Sequence, residues 1–246
     1  GGCCAILAGA GPMGLGAIDY ALHGPQTPRL LVVTDIDQDR LDRASRIFPP
    51  EHAAEGGVTL EYFNTSVTDP VQGLMALTAG KGYDDVFVFA PVRAVVEPAS
   101  MLLGFNGCLN FFAGPSDKSF SAMINFYDVH YSGHHVVGSS GGNTQDMKDA
   151  LELMGRDLLN PAVMITHIGG LDAAADTIKN LPHIPGAKKL IYTQKSMPLT
   201  ALEDFDKLGK TNSLFKELAA ITREHKGLWS VEAEVYLLKN APGIAV

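Results

Sequence analysis

Gly9-Ala10-Gly11-Pro12-Met13-Gly14 follows a short apolar run and precedes a helix-period segment. Gly9 permits a tight turn, Gly11 lets backbone approach a diphosphate, and Gly14 lets helix and strand pack closely. The open N–H groups and positive dipole end of such a helix bind an anion without any basic side chain. Asp35 ends the next apolar run, 21 residues after Gly14, where a carboxylate accepts both hydroxyls of an adenosine ribose. Together they read as a dinucleotide site; the competing reading is a purely structural glycine turn. A carboxylate there repels the 2′-phosphate of NADP and accepts from the free 2′-hydroxyl of NAD, so NAD is the expected cofactor. Arg40, five residues on, is a partner for a phosphate, a cover for adenine, or a solvated first-turn arginine.

Other chemistry-bearing residues are less ordered. His130, His134 and His135 invite a metal reading but lack a Cys or carboxylate at ligand spacing, and no metal site is expected in this chain. Cys3, Cys4 and Cys108 make neither a zinc spacing nor a disulfide framework, which fits a reducing cytoplasm. No tyrosine has lysine four residues later, so the Tyr-x-x-x-Lys proton-transfer pair of short-chain dehydrogenases is missing. An S-adenosylmethionine-dependent methyltransferase also uses a glycine turn and an acid after the second strand; the third glycine, Gly14, argues against it.

The elements that must position this turn follow from patterning. The 246 residues are 46% hydrophobic and 19% charged, a globular composition long enough to bury a core without disulfides. A net charge of −8 argues against nucleic-acid binding, which needs Lys and Arg to neutralise phosphates. No apolar run reaches membrane-span length. Gly1 with no basic region after it is expected to be a cut within a longer polypeptide, with no signal peptide. Apolar runs alternate with helix-period segments, the pattern of βαβ units. Strands are expected at residues 4–8, 30–34, 60–63, 85–89, 108–112, 124–131, 135–137, 164–167 and 189–193. Helices are expected at 14–23, from 37 to 48, and at 71–78, 93–103, 144–154 and 172–180. From Met197 the character turns helical, with segments 199–208, 212–224 and 231–238. The expected fold is α/β: a doubly wound parallel sheet (Rossmann) over residues 1–195, with a helical C-terminal appendage over 196–246.

Gly9-Ala-Gly-Pro-Met-Gly14, Val33-Thr-Asp-Ile-Asp37, Gly138-Ser-Ser-Gly-Gly142 and Met164-Ile-Thr-His167 occur in an order along the chain that resembles a known family. It is that of the zinc-containing medium-chain alcohol and polyol dehydrogenases, over their C-terminal NAD-binding domain. The tail from Met197 to Pro242 resembles the sorbitol- and sorbose-phosphate reductase branch. The resemblance implies that Gly9, Gly11, Pro12, Met13 and Gly14 hold the pyrophosphate, with Asp35 on the ribose and Arg40 beside it. It implies that Ala90 and Pro91 wall the nicotinamide ribose. Backbone at Phe112, Ala113, Gly114, Ser139 and Ser140 would hold the carboxamide, and Lys188 would reach the pyrophosphate. The sequence departs from the family at Phe89-Ala-Pro-Val92, where an acid and a glycine are usual.

The family's catalytic zinc is bound by Cys, His and usually Glu on an N-terminal domain, and no Gly-His-Glu signature occurs here. Zinc is therefore expected only in a domain outside this chain, and no catalytic residue is expected within it. The intact protein is expected to interconvert a secondary alcohol (a polyol, sugar or sugar phosphate) and a ketone by hydride transfer, the present chain alone being inactive. The other reading is a non-catalytic NAD-binding or redox-sensing module. A homodimer is expected through the segments 124–127 and 135–139, where a bare strand edge offers unpaired backbone groups.

Overall fold

A computed structural model describes residues 1–67 and 69–244; Ala245 and Val246, the end of the expected appendage, lie outside the described residues. The chain forms two compact units, Gly1–Asn160 and Pro161–Val246.

The first unit runs β1 (Cys3–Leu7), α1 (Pro12–His23), β2 (Leu30–Asp35), α2 (Gln38–Ile47), α3 (Pro50–Glu55), β3 (Thr59–Asn64) and α4 (Pro70–Leu77). It continues with β4 (Tyr83–Val88), α5 (Arg93–Met101), β5 (Leu103–Phe111), α6 (Phe126–Tyr131), β6 (His135–Gly138) and α7 (Thr144–Gly155). The six strands pair in parallel in the order β3-β2-β1-β4-β5-β6. This is the doubly wound Rossmann topology, whose strand order reverses between β1 and β4. β1 and β2 are buried at every residue, as expected of central strands covered on both faces. Local signals start the helices. The Asp37 side chain accepts the Arg40 N–H to cap α2, and Asn143 and Asp146 form a reciprocal capping box on α7. Buried Asp19 on α1 accepts the Asn160 N–H at 2.6 Å and pairs with His23 Nδ1 at 2.9 Å, tying α1 to the chain beyond α7. Burial pushes its carboxyl above the ordinary range.

Two expected elements are corrected. Residues 124–131 are not a strand: Asn125 accepts the Tyr127 N–H and caps the short helix α6. A side-chain cap outweighs the β preference of the aromatic residues there. Residues 199–208 are not one helix, because Thr200 and Ala201 pair antiparallel with residues 168 and 167. A turn of 3₁₀ helix, Leu202–Asp204, follows.

The second unit contains β7 (Ile165–Gly170), α8 (Ala174–Asn180), β8 (Lys188–Tyr192) and β9 (Thr200–Ala201). Three helices follow: α9 (Phe205–Leu208), α10 (Ser213–Glu224) and α11 (Val231–Asn240). Its strands make a separate sheet, β8-β7-β9. β7 and β8 therefore do not close the large sheet, and the compact units divide at Asn160/Pro161 rather than at 195/196. Ile168, Phe205, Leu218, Trp229 and Leu237 pack this unit's core. Trp229 Nε1 donates to Tyr192 Oη at 2.8 Å, and that hydroxyl donates to Glu234 at 2.6 Å.

Candidate functional site

The turn between β1 and α1 hangs from the end of β2. Ala8 N–H donates to Thr34 Oγ1 at 3.3 Å, Gly9 N–H to the Thr34 carbonyl at 2.7 Å, and Ala10 N–H to Asp35 Oδ2 at 3.3 Å. Gly11 takes the N-cap position of α1 with no side-chain cap, and Pro12 opens the first turn. The helix end therefore presents N–H groups to whatever lies beyond it. A Cβ on Gly14 would stand 1.9 Å from the Gly9 carbonyl oxygen, whereas one on Gly11 would meet nothing within 4 Å. Gly14 is thus required by the protein's own packing. Gly11 is free of that constraint and leaves room at the helix mouth.

Asp35 is 5% exposed. Its Oδ1 also accepts the N–H groups of Ile36 at 2.9 Å and Asp37 at 3.1 Å. Three donors on two oxygens leave one lone pair, on Oδ2, for a further hydroxyl donor. Arg40 stands 3.5 Å from Asp37, both exposed.

A cleft of about 570 Å³ opens here, and Gly11, Pro12, Met13, Gly14, Asp35 and Arg40 all line it, as does Ala90 after β4. Its size lies within the range of small-molecule sites. Gly9 lies in the turn itself. Pro91 is exposed beside Ala90. The N–H groups of Phe112 and Ala113 donate to the Val88 carbonyl at 3.2 and 3.0 Å, ahead of Gly114. The rings of Phe89 and Phe112 lie 5.0 Å apart, bracing the chain beyond β4 and β5. Ser139 Oγ donates to Asn110 at 3.0 Å, and Ser140 is exposed. Lys188 opens β8 of the second unit and is exposed. Sequence reasoning missed Thr65 and Pro70 around the start of α4, and Val95 and Pro98 on α5, which also line the cleft. Their common signal is topological: each lies on a segment that follows a strand of the sheet.

His135 Nε2 lies 3.1 Å from Asn106 Oδ1, and His130 meets Tyr131 edge-on. Among the described residues no three His, Cys, Asp or Glu side chains gather into a metal site. Burial pushes the Cys4 thiol up to about 12, leaving it a packing residue without thiolate character. No helix among the described residues is long and apolar enough to cross a membrane.

A family model for zinc-binding dehydrogenases matches residues 12–156. The chain belongs to that family. It is 52% identical over 240 residues to mannitol-1-phosphate 5-dehydrogenase of Aliivibrio fischeri, covering 97% of this chain and 57% of that protein. It is 50% identical over 239 residues to L-sorbose 1-phosphate reductase of Klebsiella pneumoniae, covering 97% and 55%. The chain thus spans just over half the length of these relatives. A solved structure from Escherichia coli CFT073, a short chain alcohol dehydrogenase (rspB) complexed with NADH, superposes with a TM-score of 0.60 at 19% identity. That match covers 77% of this chain and 51% of the other, and the likeness is one of fold.

Proposed function

We propose that the first unit holds NAD(H) for an oxidoreductase that interconverts a secondary alcohol on a polyol, sugar or sugar phosphate and a ketone. The observation that carries this reading is Asp35, which accepts the Ala10 N–H of the glycine turn and lines the cleft. The carboxylate favours a free 2′-hydroxyl and repels a 2′-phosphate, hence NAD over NADP. Bound there, the nicotinamide would accept or deliver the hydride. The chain's own part is to seat the diphosphate on the α1 N-terminus and orient the ribose. The activities for which the two relatives are named support the substrate class.

Substrate polarisation by zinc is assigned to a part of the protein outside these residues. A homodimer through the edge of β6 extends the proposal: Val136 and Val137 are 47% and 42% exposed, and no further described strand pairs beyond β6 in that sheet. The three free cysteines support a cytoplasmic setting.

The test is mass spectrometry and zinc analysis of the natural polypeptide, followed by assay with NAD and mannitol 1-phosphate or sorbose 1-phosphate. NAD-dependent turnover with stoichiometric zinc supports the proposal. NAD binding without turnover of any alcohol favours a non-catalytic module.

A further inference from the structure

A phosphorylated substrate needs a dianion site, and arginine is the side chain whose planar fork matches phosphate oxygens. Ligands of doubly wound sheets bind beyond the carboxyl ends of the strands. Among the described residues of the first unit, the loops and first helical turns after the sheet strands carry three cations: Arg40, Arg93 and Lys118. Arg40 faces the Asp35 half of the cleft and shares its charge with Asp37. Arg93 lies across the switch point, after β4. It is the first residue of α5; its neighbours Val92 and Ala94 line the cleft, while Arg93 itself is exposed next to that lining in sequence and is not part of it.

Building on the sugar-phosphate reading above, we propose that Arg93 is the phosphate-reading residue for the substrate. Its Nη2 donates to Ser121 Oγ at 3.1 Å, a neutral acceptor, and no carboxylate lies within ion-pair distance of it among the described residues. The guanidinium is exposed and is oriented by its hydrogen bond to Ser121. Glu97, one turn further along α5, is occupied elsewhere: its Oε1 accepts the Met123 N–H at 3.1 Å. Phe120 stacks on Phe111 with ring centres 6.0 Å apart and planes 7° from parallel. The first two of these contacts fasten the segment 113–125 to α5, and the third fastens it to the end of β5. That segment brings Lys118, which is exposed, to the same end of the sheet as a second point charge. Ser121 fixes Arg93 before any ligand arrives, which lowers the ordering cost of binding.

The test uses the full-length enzyme and the variants Arg93→Gln, Arg93→Lys and Ser121→Ala. With mannitol 1-phosphate as substrate, Arg93→Gln should raise KM by about 10- to 100-fold, the usual loss for charge-assisted hydrogen bonds. KM for NAD should stay within about twofold. Arg93→Lys should recover part of the loss, since it keeps the charge without the fork. Ser121→Ala should give a smaller rise of the same kind. A second readout needs no turnover: inorganic phosphate should slow phenylglyoxal labelling of Arg93, followed by peptide mass spectrometry. Unchanged KM for mannitol 1-phosphate in Arg93→Gln, or a rise confined to NAD, overturns the assignment. Phosphate protection without sugar-phosphate turnover would keep Arg93 as an anion site and remove the substrate reading instead. Turnover with no protection and no KM effect would do the reverse.

Discussion

The Asp35 carboxylate accepts the Ala10 N–H at 3.3 Å, so the residue that ends β2 holds the turn that follows β1. In the proposed reading, one side chain thereby shapes the diphosphate seat and offers the ribose acceptor. Asp35→Ala should lower NAD affinity by about 10- to 100-fold, the range for hydrogen bonds to a charged group. NADP should be affected less, so the preference for NAD narrows. Calorimetric titration reads both constants, and equal affinities in the unaltered chain would remove the argument.

Gly11 and Gly14 should separate binding from folding. Gly14→Ala drives a Cβ against the Gly9 carbonyl and should destabilise the first unit by about 1–3 kcal/mol, as overpacking does. Gly11→Ala meets no protein atom and should leave the melting temperature unchanged while weakening NAD binding. Thermal melts with and without NAD distinguish them. Loss of fold in Gly11→Ala would contradict the assignment of that space to a ligand.

The proposed dimer depends on a bare strand edge. Val136→Lys places a charge on β6, which blocks edge pairing at little cost to an exposed position. Light scattering should give a dimer for the unaltered chain and a monomer for the variant. A dimer indifferent to the lysine, or a monomer in both, excludes this interface.

His167 gives the second unit a pH dependence. It is 9% exposed on β7, and burial, then the neighbouring Lys189, hold its imidazole below the ordinary value of 6.5. The unfolded chain then takes up its proton at higher pH than the folded one. The stability tied to the neutral ring is thus complete above about pH 6.5 and is lost as pH falls toward the depressed folded value. Trp229, the one tryptophan, sits in this unit's core, so its emission follows unfolding. Urea midpoints should drop between about pH 7 and 5 in the native chain and drop less in His167→Gln. Parallel slopes would discard His167 as the source.

The central strands were legible because a strand buried on both faces is largely apolar, as β1 is throughout and β2 is from Leu30 to Val33. Legibility failed where the decisive partner is not in the local pattern. Asn125 turns residues 126–131 helical through one side-chain acceptor, and β9 exists because β7 offers it an edge. The same reason hid the division at Asn160: patterning marks β7 and β8 as strands without saying which sheet they join. At the site, the glycine turn and Asp35 could be read because both lie in one βαβ unit. Thr65, Pro70, Val95 and Pro98 reach the cleft only through the strand order.

The central position of β1 sets the timing of assembly. Cys3 donates its N–H to Asp84, 81 residues later, and Cys4 pairs with Asp85 on β4. On a ribosome adding roughly 5–20 residues per second, the β4 side of β1 stays unpaired for on the order of ten seconds. For that interval an apolar edge reading Cys-Cys-Ala-Ile-Leu is covered by neither strand nor solvent-friendly side chain. Chaperone capture of nascent chains should therefore peak after β2 emerges and end once β4 clears the exit tunnel.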